Sequence, residues 1–324
     1  MSAELFLRDL EAKPSFLRSL AARLRDRDPW AELDVVPERV VAFGLGSSRS
    51  AAVAATDRLR AGRIDAVTEY AGTPVAHPGG AGTLAVGVSA SGRTAEVVAT
   101  LERHRRRGST TVAVTNDADA PIGDVADVVV PLGAGTEEGG VACRTFQHTL
   151  VLLGALVDRL TGAPEGLAAV LAGRSADATE DLLATRAAWL DEVTELLAAT
   201  GQLFTIAPAS RLSSAEQGAL MFREGPRLTA DACETADWSH VDVYLTKTVD
   251  YRALLFTGSR AQGEVMRWAA ERGSTVVAVG ADVPGAASVV RYAGDDRDDV
   301  ALVTEVLVPE LVAASAWAAS GPPG

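Results

Sequence analysis

The sequence predicts an α/β protein built as two tandem copies of a three-layer αβα sandwich, each with a mostly parallel sheet. Three observations carry this. Short apolar runs of strand length alternate with stretches whose apolar residues recur at helical spacing. Twice in the first half a strand runs directly into a Gly/Ser-rich turn and then a helix, after Arg39-Val40-Val41-Ala42-Phe43 and after Thr83-Leu84-Ala85-Val86-Gly87-Val88. A second αβ series opens at Leu203-Phe204-Thr205-Ile206-Ala207 and continues through strand-like segments at 253–257, 275–279 and 288–292.

Taken in order, residues 1–34 form an amino-terminal helical segment. Leu5, Leu10, Phe16, Leu17, Leu20 and Leu24 give residues 3–28 an apolar face, and Pro14 marks a break or a second start. The first domain spans 35–160. Residues 161–200 connect the halves, with a long helical stretch expected over 176–199. The second domain spans 201–324. Arg103-His104-Arg105-Arg106-Arg107 closes a helix before Gly108, where cations complement the helix dipole.

Composition narrows the function classes. The chain has 324 residues, 48% of them hydrophobic, enough for two cored domains. No uninterrupted apolar run reaches the ~18 residues of a membrane span. The acidic start Met1-Ser2-Ala3-Glu4-Leu5 lacks a signal peptide's basic region and apolar core. A net charge of −13 argues against nucleic acid as a partner. Cys143 and Cys233 stand far apart without metal spacing and read as buried thiols of a reducing cytoplasm.

The most informative stretch is Ser89-Ala90-Ser91-Gly92-Arg93-Thr94-Ala95-Glu96. A strand that ends in small hydroxyl residues and a glycine, then enters a helix, offers free N–H groups and a partial positive charge to an anion. Ser89, Ser91 and Thr94 add hydroxyl donors, and Gly92 lets the backbone approach closely. A phosphate monoester suits such a turn, although Ser and Thr also cap helices that bind nothing. The upstream turn, Gly44-Leu45-Gly46-Ser47-Ser48, lies about 40 residues earlier, a separation that suits neighbouring crossovers of one sheet. It begins like a dinucleotide fingerprint, but Ser50 and Ala51 stand where the third glycine belongs.

Further motifs follow in order: Val114-Thr115-Asn116, Ala126-Asp127 before a strand at 128–132, then Gly135-Thr136-Glu137-Glu138-Gly139-Gly140-Val141-Ala142 with Phe146. With Gly46-Ser47-Ser48 and the Ser-x-Ser-Gly-x-Thr of residues 89–94, this series resembles the sugar isomerase (SIS) domain family. The arrangement is that of the isomerase half of glucosamine-6-phosphate synthase and related amino-sugar phosphate isomerases and deaminases. The likeness is strong over 35–160 and weaker over 195–310. It implies a phosphorylated amino sugar held by Gly46, Ser47, Ser48, Ser89, Ala90, Ser91, Gly92 and Thr94. It also implies a homodimer with a shared site; no cofactor is expected, and charge, hydropathy and cysteine spacing speak against nucleic acid, a membrane and a metal. The second copy lacks the Ser-x-Ser-Gly-x-Thr loop, its equivalent strand ending in Thr257-Gly258-Ser259-Arg260.

The resemblance also implies a catalytic pair. In the family a helix here ends in a glutamate facing the sugar, and a histidine sixteen positions later comes from the dimer partner. This chain has Glu224 and His240 at that spacing. Moving a proton between C2 and C1 of an open-chain sugar needs one base near both carbons, and a carboxylate in a partly dry pocket can serve. Ring opening needs a second acid–base group, and histidine titrates in the useful range. His77, His104 and His148 read as structural or solvated.

Departures from the synthase limit the carry-over. Met221 replaces a lysine three residues before the glutamate, Ala142 and Cys143 replace Ser-Thr, and Arg144 replaces a lysine. Neither a glutaminase half nor the tail lysine is present in this sequence, so amination is not expected. Abstraction of the C2 proton then branches to isomerisation, deamination of a free amine, or elimination of the 3-hydroxyl from N-acetylglucosamine 6-phosphate. A non-catalytic phosphosugar sensor is the alternative from another class. The short acidic segment before the first strand does not suit an added helix-turn-helix.

Overall fold

A computed structural model describes residues 1–320; the last four residues of the expected second domain lie outside the described residues. The helices are α1 (Ala3–Glu11), α2 (Lys13–Asp26), α3 (Ser47–Ala61), α4 (Ala95–Arg106), α5 (Pro121–Asp124), α6 (Arg144–Thr161), α7 (Leu167–Thr185), α8 (Leu190–Ala198), α9 (Leu212–Glu224), α10 (Thr235–Trp238), α11 (Gln262–Arg272), α12 (Asp298–Thr304) and α13 (Leu307–Ser320). The strands are β1 (Arg39–Gly44), β2 (Asp65–Tyr70), β3 (Thr83–Val88), β4 (Thr110–Thr115), β5 (Val128–Pro131), β6 (Gln202–Ala207), β7 (Thr229–Glu234), β8 (Arg252–Phe256), β9 (Thr275–Val279) and β10 (Ser288–Val290).

The chain divides into two compact units. The first comprises Phe16–Thr136 and Arg144–Gly173; the second comprises Met1–Ser15, Glu137–Cys143 and Arg174–Gly324. In the first unit five parallel strands run in the order β2-β1-β3-β4-β5. Val41 faces Val67 on one side and Ala85 on the other, which fixes the register of the centre. All six residues of β3 are buried, as a parallel sheet covered on both faces requires. Val41, Phe43, Ala85, Val97, Leu101, Ala113 and Ile122 form the core on one face. Trp30 follows α2 and anchors to this unit, its indole N–H donating to the carbonyl of Leu152 at 2.9 Å.

The second unit has the order β10-β9-β8-β6-β7, again all parallel. Read from the other end, this is the first sheet's order, strand for strand. β6 and β8 therefore correspond to β1 and β3, and the duplication expected from sequence holds at the level of topology. β2 and β7 were not anticipated. Both are edge strands carrying acidic residues, Asp65 and Glu69 in one and Asp231 and Glu234 in the other, and neither shows a clean apolar run.

The helical stretch expected over 176–199 is two helices. α7 ends at Thr185, a 3₁₀ turn covers Arg186–Ala188, and Trp189 takes an extended φ of −138° before α8 begins. Its side chain is buried, so the break turns an indole into the core. The segment Asp298–Ser320 is long and apolar enough to cross a membrane by length and composition, but 89% of its apolar window is buried inside the structure, as in a core helix. It carries Glu305 and Glu310, both fully buried. Glu310 pairs with Lys13, also fully buried; burial pushes the Glu310 carboxyl up while Lys13 pulls it down. Residues 137–143 group with the second unit through Asp9, whose carboxylate accepts from Gly139 N–H at 2.7 Å, and Gln217, whose amide donates to Ala142 O at 2.8 Å.

Candidate functional site

The first unit brings its two Gly/Ser turns to one place. β1 and β3 are parallel neighbours, so both turns leave the same carboxyl edge of the sheet. At the first, Gly46 has φ +51°, a left-handed value that glycine adopts without strain. A Cβ on Gly44 would lie 2.9 Å from Ser48 Cβ and 3.0 Å from Arg49 N, so β1 can enter α3 this tightly only through glycine. Ser47 and Ser48 open α3 and are half-buried.

The second turn is stitched down more extensively. Ala90 O accepts from Asn116 N–H at 3.0 Å and from the Thr115 hydroxyl at 3.3 Å. Gly92 O accepts from Ile122 N–H at 3.1 Å. Gly92 has φ +65°, and a Cβ there would meet Ala120 Cβ at 2.6 Å. Ser89 is buried, and its hydroxyl lies 3.0 Å from that of Thr94, the N-cap of α4. Ser91 accepts from Arg93 N–H at 3.3 Å, while the Arg93 guanidinium is turned to Asp117 at 2.7 Å. The first turn of α4 supplies N–H groups without intrahelical partners. Backbone donors, three hydroxyls and a helix start thus converge on one edge, which is the chemistry of a phosphate cradle.

Two residues that the sequence reading named but did not assign to the site fix the third loop of this edge. Asn116, at the end of β4, accepts from Ala134 N–H at 3.0 Å and donates to Gly135 O at 3.0 Å. Arg144 donates to Ala134 O at 3.1 Å and to Thr136 O, and its guanidinium lies 4.4 Å over the Phe16 ring. Arg144 therefore holds backbone carbonyls, a use that the strand-end motif containing Asn116 hinted at and that the lysine-to-arginine change did not. A cavity of about 540 Å³ lies at the opposite edge, between the ends of α2 and α6. Arg159 pairs across it with Asp28 at 2.6 Å, and its lining includes none of the loop residues.

In the second unit the corresponding edge is filled from within. The guanidinium of Arg211 donates to Thr257 O in the turn after β8, pairs with Asp298, and donates to Glu305 at 3.1 Å. A Cβ on Gly258 would lie 3.2 Å from Arg211 Nη2. The expected lack of a phosphate loop in this copy has a physical counterpart: a buried arginine occupies the turn.

Glu224 is the last residue of α9 and is exposed, yet partial desolvation raises its carboxyl above the usual carboxylate range, with Arg223 pulling the other way. Met221, one turn earlier, is fully buried with its sulfur 3.6 Å from Gln217 Nε2, so it does not form an open apolar wall. His240 is exposed and follows α10, its N–H donating to Asp237 O at 2.8 Å. The fold does not bring the two together in one copy. α9 runs back to the amino edge of the sheet, where Thr229 N–H donates to Gly201 O, and His240 lies beyond the carboxyl end of β7. A six-residue strand spans roughly 17 Å. Of the other histidines, His104 and His148 are buried and His77 is half-buried.

Residues 36–159 match the SIS domain family. It is 30% identical over 173 residues to a glutamine–fructose-6-phosphate aminotransferase of Aeropyrum pernix, covering 51% of this chain and 28% of that protein. It is 48% identical over 56 residues to an N-acetylmuramic acid 6-phosphate etherase of Symbiobacterium thermophilum, 17% of this chain and 19% of the etherase. The chain thus spans less than a third of these curated relatives. Among solved structures, a glucosamine-6-phosphate deaminase of Thermotoga maritima superposes with a TM-score of 0.74 at 18% identity, over 98% of this chain and 95% of that one. The tandem αβα architecture is therefore shared along the whole length.

Proposed function

We propose that this protein acts on a hexosamine 6-phosphate by removing the C2 proton of the open-chain sugar, as an isomerase or deaminase. The observation that carries this reading is the Ser89–Thr94 turn, with Gly92 at φ +65° and the Gly46-Ser47-Ser48 turn on the adjacent strand. Such an edge holds a phosphate by backbone and hydroxyl donors. Glu224 takes the proton: its raised pKa lets it hold and return it. His240 handles ring opening. The separation of Glu224 and His240 along β7 supports a dimer in which each copy lends His240 to its partner's site. No cofactor takes part in the proposed steps.

A second reading is elimination, acting as a dehydratase on N-acetylglucosamine 6-phosphate. It is favoured by the likeness to an etherase and by Met221, which removes the lysine that an imine-forming site would use. A phosphosugar sensor without turnover is the third. Incubation in D2O with glucosamine 6-phosphate, N-acetylglucosamine 6-phosphate and fructose 6-phosphate, followed by proton NMR, separates them. Loss of a C2 proton from either amino sugar, or of a C1 proton from fructose 6-phosphate, whose C2 is the carbonyl carbon, supports the enzyme, and the product peaks name the branch: an isomerised sugar, ketose with ammonia, or an alkene proton. Binding without exchange at C2 of the amino sugars or at C1 of fructose 6-phosphate overturns the catalytic reading in favour of the sensor.

A further inference from the structure

His240 sits on a surface segment that is held from below by one phenol. Tyr251, 1% exposed, stacks on Phe204 with ring centroids 4.1 Å apart and an interplanar angle of 9°. Its hydroxyl accepts from the Trp238 indole N–H at 2.8 Å and donates to Asp242 Oδ2 at 3.0 Å. Trp238 and Asp242, both buried, are the residues two before and two after His240. A single oxygen therefore ties both flanks of the histidine to the core. The outer ends are fixed as well. Glu234 caps α10 by accepting from Ala236 and Asp237 N–H at 2.7 and 3.0 Å, and Arg272 donates to Val243 O and to the Thr246 hydroxyl. The proposed chemistry does not use Tyr251, Asp242 or Trp238.

Resting on the reading of His240 given above, we propose that Tyr251 is the positioning residue for His240, acting through Trp238 and Asp242. Two buried polar groups converge on its hydroxyl with matched roles, a donor that needs an acceptor and a carboxylate that needs a donor. Loss of that oxygen leaves both without their partner while the ring remains stacked. The segment 238–242 then relaxes, and the imidazole moves relative to the reacting atoms.

The test compares the full-length wild type, Tyr251→Phe, Asp242→Asn and His240→Ala. Steady-state turnover is read on whichever sugar phosphate exchanges its C2 proton, together with amide hydrogen exchange of residues 238–242. Asp242→Asn keeps an acceptor oxygen and serves as the conservative control. The proposal expects Tyr251→Phe to lower kcat about 10-fold with KM changed less than about 2-fold, as for a misplaced group that acts in the transition state. It also expects faster exchange at 238–242 alone, with Asp242→Asn close to wild type on both readouts. Unchanged kcat, or kcat and KM degraded together with exchange accelerated throughout the second unit, overturns it. Failure of the underlying reading shows separately, as a His240→Ala protein with undiminished turnover. If no sugar turns over, unaltered exchange at 238–242 in Tyr251→Phe still overturns the staple.

Discussion

The hydroxyls of Ser89 and Thr94 lie 3.0 Å apart across the mouth of the turn that joins β3 to α4. One hydrogen bond between them leaves further lone pairs and a second hydroxyl hydrogen to turn toward a ligand. The pair is preorganised, because Ala90 and Gly92, the residues between, are fixed by Asn116 and Ile122.

Gly92→Ala tests that preorganisation. The substitution places a Cβ against Ala120 in a left-handed backbone, a combination expected to destabilise by about 1–3 kcal/mol and to abolish phosphosugar binding. Ser89→Ala removes one hydroxyl with no steric change and is expected to weaken binding about 10-fold at near wild-type stability. Calorimetric titration with glucosamine 6-phosphate checks both. Equal affinity in all three proteins places the phosphate elsewhere.

Glu224 gives a pH signature. Its basic form acts, and its pKa lies above the ordinary carboxylate range, so the rate of C2 deuterium uptake falls as pH drops through that raised value, before a solvated carboxylate (about 4.3) would titrate. Glu224→Gln is expected to lower the rate by about 10²–10⁴ and to remove this acid limb. An unchanged limb in the variant assigns the base to another group.

Complementation tests the sharing of His240. Glu224→Ala and His240→Ala chains are each expected to be inactive alone. If the proposed dimer forms on mixing and re-equilibration, one of the two sites in each mixed pair retains both side chains, so measurable activity is expected to return. No recovery, with hetero-dimers verified by mass, argues that each copy uses its own histidine.

His104 predicts a stability slope. Burial, with Arg103, Arg107 and His77 adding to it, lowers its pKa from 6.5 to about 4. The unfolded chain then binds more protons between these values, so stability is full above about pH 6.5 and declines as pH falls toward 4. His104→Phe keeps the stack on Phe43, whose centroid is 5.7 Å away, and removes the titration. Urea unfolding at pH 7 and pH 4.5 should show wild type losing roughly 2 kcal/mol more than the variant over that interval. Parallel losses assign the acid sensitivity to other groups.

Much of this was legible in the sequence because the first unit repeats one device. An apolar strand that meets Gly and Ser before a helix can be read locally, and β1, β3, β4 and β5 all fall where their runs stand. β2 and β7 escaped because an edge strand has one neighbour and tolerates Asp65 or Asp231, so its pattern blurs. The break at Trp189 escaped because residues 186–188 are ordinary helix formers, and only the burial of the indole decides the turn. In the candidate site, Ser89, Gly92 and Gly46 were readable from backbone demands alone. The contacts of Asn116, Arg144 and Tyr251 were not, since their partners lie at sequence separations that only the fold closes, such as 8 residues between Thr136 and Arg144 and 19 between Asn116 and Gly135.

Arg211 gives the matching turns of the two units unequal needs. In the second unit the turn after β8 carries its cation as part of the chain, with Glu305 and Asp298 as counter-charges, so that turn needs no external ion to hold it. Under the proposed function the matching turn of the first unit takes an external phosphate, and a ligand at one hundred times its Kd is expected to stabilise the fold by about 2.7 kcal/mol through mass action. Of two matching turns in a duplicated fold, one is thus closed by its own chain and only the other is left for a solute to complete.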